Sequence, residues 1–271
     1  METTRKKKKP GRLHLLDTIR GLTLVSMILY HACWDAVYMI GANWPWYYSR
    51  GGYIWQQSIC WTFILLSGFC VPLSGRLFRR GLEIFGAGAL VMLVTGIVLP
   101  EDRVVFGVLT LIGSCMLLMI PVRTLVRPAE KSGGKAAAGF VISFLLFVFL
   151  KDINAGIAGT GMLHRILPAI PLWTVSVPSG FYRNYLTAYL GFPPAGFYST
   201  DYFSLLPWSF LYLSGYFLHY IFRFAGILKS PVMSKKIRPL AFMGRNSLII
   251  YLLHQPVLYL YVLLYQTALR G

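Results

Sequence analysis

A histidine, His31, lies in the middle of a segment, residues 13–40, that is otherwise apolar enough to cross a membrane. Ionisable side chains at membrane depth are costly, so they indicate a functional site. Arg20 precedes His31 by eleven residues, which in a helix places both side chains on one face, about 16 Å apart along the axis. Asp35 follows at i+4, where a carboxylate orients an imidazole and stabilises its charged form. We therefore predict His31 as a general base that Asp35 supports.

A second polar cluster repeats this arrangement near the C-terminus. Arg245 and Asn246 precede an apolar run in which His254 lies deeper. Nine residues place Arg245 and His254 on opposite faces of an ideal helix, so we expect the arginine in the turn before that helix. Pro256 predicts a kink just beyond the histidine. His254 and Asn246 are candidate donors to an oxyanion, and a structural polar role for His254 is the alternative.

Two further polar residues, Asp201 and Trp208, flank the start of another apolar run. Asp201 is a candidate to bind an acceptor, to orient a histidine or to cap a helix. Trp208 belongs to an aromatic cluster typical of a membrane interface. Asp17, one turn before Arg20, forms either a self-neutralising ion pair with that arginine or part of a site for a charged ligand.

The sequence gives no indication of a metal site. His14, His164 and His219 lack partners at ligand spacing, and four cysteines lie inside apolar segments. The cysteines show neither metal-ligand spacing nor a disulfide framework, which predicts small buried side chains. They are Cys33, Cys60, Cys70 and Cys115. We therefore expect chemistry that needs no metal ion.

The composition is typical of a multi-spanning membrane protein. Hydrophobic residues make up 56% of the chain and charged residues only 13%, and the mean hydropathy is +0.60. The net charge of +17 is carried by short basic runs between apolar segments, where positive charge sets topology, so it does not indicate a nucleic-acid partner. With 271 residues, there is room for six to eight spans, and we expect one domain over residues 1–271.

Seven apolar runs predict an all-α integral membrane protein, a single bundle of about seven transmembrane helices. The runs are residues 13–40, 52–74, 81–99, 104–122, 136–150, 203–224 and 240–269. If the N-terminus is cytoplasmic, eighteen of the 26 basic residues fall on the cytoplasmic side and six on the other. Positive charge concentrates in cytoplasmic segments, so we predict the N-terminus inside and the C-terminus outside.

This orientation assigns the segments outside the bundle. Residues 1–12 become a basic cytoplasmic tail, and the proline-rich segment 151–202 becomes a long extracytoplasmic segment. A structureless loop of that length is unusual, so we expect it to be functional or partly embedded. Residues 162–177 are apolar but broken by prolines, which predicts an interfacial or re-entrant piece.

The spacing of Arg20 and His31, with ten residues between them, resembles the Arg-x10-His signature of membrane-bound acyltransferases. More of the chain resembles the bacterial branch of the heparan-α-glucosaminide N-acetyltransferase family. The matching stretches are residues 16–21, 27–31, 106–109, 201–208 and 244–256. Two positions depart from the family. Thr110 stands where a histidine often follows Phe-Gly-(Ile/Val)-Leu, and eukaryotic members place their key histidine later than His31.

The resemblance implies a multi-pass enzyme of the cell membrane, plasma or bacterial inner membrane, that moves acetyl from cytoplasmic acetyl-CoA to an extracytoplasmic sugar or glycan. Arg20 and Arg245, with Asp17 beside them, are then candidates to bind the phosphates of CoA. His31 deprotonates the acceptor amine or hydroxyl, and an acetyl-histidine intermediate is the alternative chemistry. The region of Asp201 and Trp208 holds the acceptor.

Two other function classes compete with an acyltransferase. A transporter or flippase uses the same polar path without bond chemistry, and a membrane scaffold uses none. Stoichiometric CoA release that needs an acceptor separates the enzyme from both. Membrane lipids surround the helices in every case, and the sequence leaves a homo-oligomer open.

Overall fold

The computed structural model describes residues 12–270, so most of the predicted basic tail, residues 1–12, lies outside the described residues. The described chain forms ten α-helices and one two-stranded antiparallel sheet. The helices are α1 (His14–Tyr38), α2 (Arg50–Cys70), α3 (Leu77–Val98), α4 (Val108–Val126), α5 (Gly133–Phe149), α6 (Gly161–Ile166), α7 (Tyr185–Leu190), α8 (Leu205–Phe224), α9 (Arg238–Arg245) and α10 (Ser247–Arg270). The strands are β1 (Ile157–Gly159) and β2 (Thr174–Ser176), with Ile157 opposite Ser176.

Each of the seven predicted apolar runs overlaps one long helix, and the last run, 240–269, also includes most of the short helix α9. Five helical stretches of the described chain are long and apolar enough to cross a membrane. They are Arg50–Leu73, Leu77–Val98, Val108–Lys131, Gly133–Ala155 and Ser247–Ala268. Helices α1 and α8 are of similar length but are not among these five. Helix α1 carries ionisable residues, and α8 carries several Tyr and Ser side chains. A helical membrane protein is therefore confirmed, whereas the two further spans at α1 and α8 and the orientation stay predictions.

Helix α8 lies at the centre of the main core, where it packs against α2, α4 and α5. Glycines allow the closest of these approaches. A Cβ on Gly68 of α2 would lie 1.9 Å from the Tyr212 carbonyl oxygen, and a Cβ on Gly215 of α8 would lie 2.1 Å from the Leu65 carbonyl oxygen. Small residues at such contacts are the usual device of membrane helix packing, since they let backbones approach without a side chain between them.

The predicted outer segment, residues 151–202, is structured. It contains the β1–β2 hairpin and the short helices α6 and α7. The proline-broken stretch 162–177 forms most of α6 and strand β2, and its interfacial or re-entrant position stays a prediction. The amide of Asn154 ties the segment to the bundle, because it donates to the Gly191 carbonyl at 2.8 Å and to the Ser204 hydroxyl at 3.0 Å.

Candidate active site

Helix α1 carries the first polar cluster on one continuous helix. Its residues run without a break from His14 to Tyr38, so Arg20 and His31 have the predicted helical spacing. The helix forms because the apolar run has no proline and no interior turn signal. Helices α9 and α10 pack against it and carry the second cluster. The site is therefore built between the first and last long helices of the chain.

The arginine end of the site depends on a close contact between α1 and α9. A Cβ on Gly21 would lie 1.9 Å from the Leu240 carbonyl oxygen, and one on Gly244 would lie 1.8 Å from the Asp17 carbonyl oxygen. Any larger residue at either position would push the two helices apart. The glycines thus set Arg20 beside the end of α9, where its Nη1 donates to the Gly244 carbonyl at 3.4 Å.

The guanidinium of Arg20 is only weakly engaged by its neighbours. Its second contact is with Cys70 Sγ at 3.3 Å, and the Asp17 carboxylate lies 3.7 Å away. Asp17 instead accepts from Arg12 Nε at 2.7 Å. The self-neutralising Asp17–Arg20 pair is therefore not the main contact of either residue, and Arg20 keeps N–H donors for an anionic ligand.

More positive charge surrounds this end of α1. Arg245 is the last residue of α9 and is exposed, so it lies before the long helix as the spacing predicts. The Ile237 amide donates to Thr18 Oγ1 at 3.3 Å, which brings the neighbouring chain to α1. That chain carries three exposed basic side chains, Lys235, Lys236 and Arg238. These exposed cationic side chains are suited to binding a polyphosphate.

Asn246 does not reach the histidines. It is the residue between α9 and α10, and its side-chain amide donates to the Phe242 carbonyl at 3.0 Å. Eight residues of helix separate it from His254, about 12 Å along the axis. The prediction that Asn246 stabilises an oxyanion beside His31 is therefore wrong for this geometry, because its amide completes the end of α9.

The two histidines meet between α1 and α10. The ring centroids of His31 and His254 are 4.9 Å apart. The Nδ1 of His254 bonds to the Tyr251 carbonyl, and because a carbonyl only accepts, that nitrogen carries the proton. The Nε2 of His254 is buried and has no hydrogen-bond partner among residues 12–270. This nitrogen therefore carries a lone pair that no described residue uses.

Asp35 does not support His31 as predicted. It is 1% exposed, and its Oδ1 accepts from Gln255 Nε2 at 3.0 Å. The other oxygen, Oδ2, has no partner within the described chain, and neither has Gln255 Oε1. Gln255 follows His254 directly, so the Asp35–Gln255 contact fixes α10 against α1 at the level of the histidines. Gln255 was not among the predicted site residues, although a polar side chain directly after His254 in an apolar run is a signal for one.

Asp201 caps a helix. Its Oδ2 accepts from the Val108 amide at 3.4 Å, the first residue of α4. Burial raises the pKa of Asp201 to about 6, against the effect of the Val108 amide and the phenol of Tyr251, which lower that pKa. The cavity beside it has a volume of only about 10 Å³, room for one water molecule at most. A sugar does not fit there, so of the three predicted roles the structure favours capping.

Trp208 is also placed in the core. It is 4% exposed, and the Lys151 ammonium lies 4.4 Å from its ring centroid. The rings of Phe147 and Phe203 pack against it. The prediction that Trp208 contacts a sugar is therefore wrong for this structure, since its ring is covered by protein.

Most of the chain matches one known protein family. The family model described as heparan-alpha-glucosaminide N-acetyltransferase, catalytic, matches residues 12–256. The chain belongs to this family. The matched range includes both histidines, Arg20 and Arg245. It confirms the predicted family, and the bacterial branch stays a prediction. Membership of this acetyltransferase family supports a transferase, and the apolar helices place it in a membrane. Neither a curated protein nor a solved structure matches the chain.

Proposed function

We propose that the protein is a transmembrane acetyltransferase that takes acetyl from acetyl-CoA and transfers it to an amine or hydroxyl of a sugar on the opposite side of the membrane. The observation that carries the proposal is the His31–His254 pair, with ring centroids 4.9 Å apart and a free Nε2 on His254. Membership of the acetyltransferase family supports the same reaction class. In this proposal the N-terminus is cytoplasmic, and α1 crosses the membrane from Arg20 towards Tyr38.

The donor binds at the arginine end of α1. Arg20 and Arg245 contact its phosphates, with the exposed basic residues 235–238 around them. Charge-assisted contacts from arginine suit phosphate because the guanidinium donates in a fixed fork. The helix places His31 about 16 Å from Arg20 along its axis, a span that suits the long, thin pantetheine arm. The thioester then ends beside the histidine pair.

The histidine pair supplies the acid–base chemistry. His254 Nε2 takes the proton from the acceptor as its nitrogen or oxygen attacks the thioester carbonyl carbon, and the carbonyl electrons move to oxygen. His31 donates a hydrogen bond to that oxyanion. When the oxyanion collapses, the C–S bond breaks, and the sulfur of CoA leaves with the proton from His254. These roles reverse those predicted from the sequence, because the Tyr251 carbonyl fixes the proton of His254 on Nδ1.

The experiment uses the purified protein in lipid nanodiscs with acetyl-CoA and glucosamine. CoA release is followed with a thiol reagent, and acetylated sugar by mass spectrometry. We expect equal amounts of both products, with His31→Ala and His254→Ala strongly impaired and His14→Gln unimpaired. A burst of CoA release without acceptor would indicate an acetyl-enzyme intermediate and would contradict direct transfer. Absence of CoA release with every sugar would overturn the proposal and favour a transporter.

A further inference from the structure

A cavity of about 470 Å³ opens at the C-terminal end of α1. Trp34, Tyr38, Met39, Asp102 and residues 198–200 line it. Its volume lies within the range of about 300–1,000 Å³ that is usual for small-molecule sites. It is the larger by far of the two cavities described here, since the one beside Asp201 has room for a single water molecule.

The cavity lies in line with the histidine pair. Trp34 and Tyr38 follow His31 at i+3 and i+7, so the three side chains share one face of α1. Along the helix axis, Trp34 is about 4.5 Å and Tyr38 about 10.5 Å beyond His31, on the side away from Arg20. The histidines therefore stand between the basic end of α1 and the cavity. A molecule held in the cavity approaches the histidines from the side opposite to the arginines.

Aromatic rings form an open wall of the cavity. The rings of Trp34 and Tyr38 have centroids 4.9 Å apart and lie at 33° to each other. Tyr38 is 55% exposed and Tyr198 50% exposed, so about half of each side chain is accessible to a ligand. Rings of this kind stack on the apolar C–H face of a sugar, and the phenols donate to or accept from its hydroxyls.

The charge of the wall is negative. Asp102 is its charged side chain, and it forms no ion pair within residues 12–270. Arg103 follows Asp102 in the chain but is not part of the lining. A carboxylate accepts hydrogen bonds from hydroxyls and ammonium groups, and it repels carboxylates and phosphates.

The rim of the cavity is held in place by hydrogen bonds between two chain segments. Thr200 Oγ1 donates to the Asp102 carbonyl at 3.0 Å. Ser199 Oγ donates to the Val105 carbonyl at 3.0 Å and accepts from the Val105 amide at 2.8 Å. These bonds fix Asp102 and Tyr198 relative to each other, so the wall is formed before a ligand arrives.

We infer that this cavity is the acceptor site, that it binds a pyranose stacked on Trp34 and Tyr38 with Asp102 on its polar edge, and that it rejects acceptors carrying a carboxylate or phosphate on the ring. The inference rests on the proposed acetyl transfer for its role. Sugar binding itself does not depend on the proposed acetyl transfer, because the aromatic wall and Asp102 recognise a sugar without acetyl-CoA. It also moves the acceptor away from Asp201 and Trp208.

The test measures binding and turnover separately, in nanodiscs. Saturation-transfer NMR without acetyl-CoA reports contact with glucosamine, glucose and glucuronic acid, and CoA release gives KM and kcat. We expect contact with the first two sugars and little with glucuronic acid. Asp102→Asn should raise KM for glucosamine about ten- to a hundred-fold with kcat little changed. Asp102→Asn should also reduce the preference for glucosamine over glucuronic acid.

Trp34→Leu should remove the NMR contact, while its matched control Trp44→Leu, an exposed tryptophan outside the lining, should keep it. Tyr38→Phe is the milder second variant if Trp34→Leu unfolds, and it should raise KM. Equal effects of the Trp34 and Trp44 changes, or an unchanged sugar preference in Asp102→Asn, would overturn the inference. NMR contact without any CoA release would keep the sugar site and sink the proposed reaction. CoA release without an NMR contact that depends on Trp34 would support the proposed reaction and overturn the sugar site.

Discussion

His31 on α1 and His254 on α10 face each other with ring centroids 4.9 Å apart, although 223 residues separate them in the chain. The Tyr251 carbonyl fixes the tautomer of His254, so that Nε2 is the free acceptor. The hydrogen bond to the Tyr251 carbonyl thus distinguishes the imidazole of His254 from that of His31. The predictions below depend on that difference and on the elements that hold it.

The first prediction separates the roles of the histidines. His254→Ala should lower acetyl transfer about 10²–10⁴-fold at neutral pH, the usual contribution of a general base. Its rate should recover as the pH rises through the pKa of the acceptor amine, because the amine is then already deprotonated. His31→Ala should stay impaired across the range, since oxyanion stabilisation does not depend on the amine. The pH–rate profiles of CoA release measure this, and recovery in His31→Ala instead would exchange the two roles.

The second prediction concerns the donor. Arg20→Ala should weaken acetyl-CoA binding by about 1.5–3 kcal/mol, because a charge-assisted contact with phosphate is lost. His31→Ala should bind nearly as tightly as the parent, since His31 lies three turns beyond the phosphates. Isothermal titration in nanodiscs measures both. Arg79→Ala is the control, as Arg79 is exposed and pairs with Glu83 at 2.8 Å. Unchanged affinity in folded Arg20→Ala would remove Arg20 from the donor site.

The third prediction concerns the glycine contact between α1 and α9. Gly244→Ala should destabilise the protein by about 1–3 kcal/mol, the usual cost of overpacking, because the new Cβ would lie 1.8 Å from the Asp17 carbonyl oxygen. It should also weaken acetyl-CoA binding, since Arg20 contacts the end of α9. Gly86→Ala in α3 is the matched control, with nothing within 4 Å of its Cβ. Thermal unfolding of the two variants gives the answer, and equal melting temperatures would contradict the packing argument.

The fourth prediction is a pH dependence of stability from Asp201. Burial raises the pKa of Asp201 to about 6 in the folded protein, whereas the unfolded value is about 3.9. The folded state therefore binds the proton more tightly. Stability from this group is full below about pH 4 and is lost as the pH rises through about 6, an effect on the order of 3 kcal/mol.

Asp201→Asn removes that titration while keeping an oxygen for the Val108 amide. The difference in melting temperature between this variant and the parent should therefore grow in favour of the variant between pH 4 and pH 7. Differential scanning fluorimetry at each pH measures it. A constant difference across that range would show that Asp201 is not the titrating group.

The fifth prediction is the orientation. Exposed positions Lys131 and Ala195 lie before α5 and before α8, and the basic residue pattern places them on opposite sides of the membrane. In a background without the four cysteines, Lys131→Cys should be labelled by an impermeant maleimide only after permeabilisation, and Ala195→Cys in intact cells. Labelling of both under the same condition would rule out the N-inside arrangement with seven spans.

The elements of this site were predictable from the sequence because they depend on local patterns. The apolar runs predicted the long helices, and the eleven-residue spacing put Arg20 and His31 on the single helix α1. The nine-residue spacing likewise predicted that Arg245 precedes the last long helix, as it does at the end of α9. These features depend on helical periodicity alone, and that periodicity is visible in any short stretch of the sequence.

The partners of these residues were decided by the tertiary structure. The i+4 spacing predicted that Asp35 contacts His31. In the structure α1 packs against α10, and the Asp35 carboxylate instead accepts a hydrogen bond from Gln255. The aromatic cluster around Trp208 predicted a position at the membrane interface, yet Trp208 is buried where α5 and α8 pack together. Helix periodicity fixes which face a side chain occupies, whereas the neighbour on that face depends on how closely distant helices approach. In this protein glycines such as Gly21 and Gly244 set that approach, and their effect is visible only once both helices are in place.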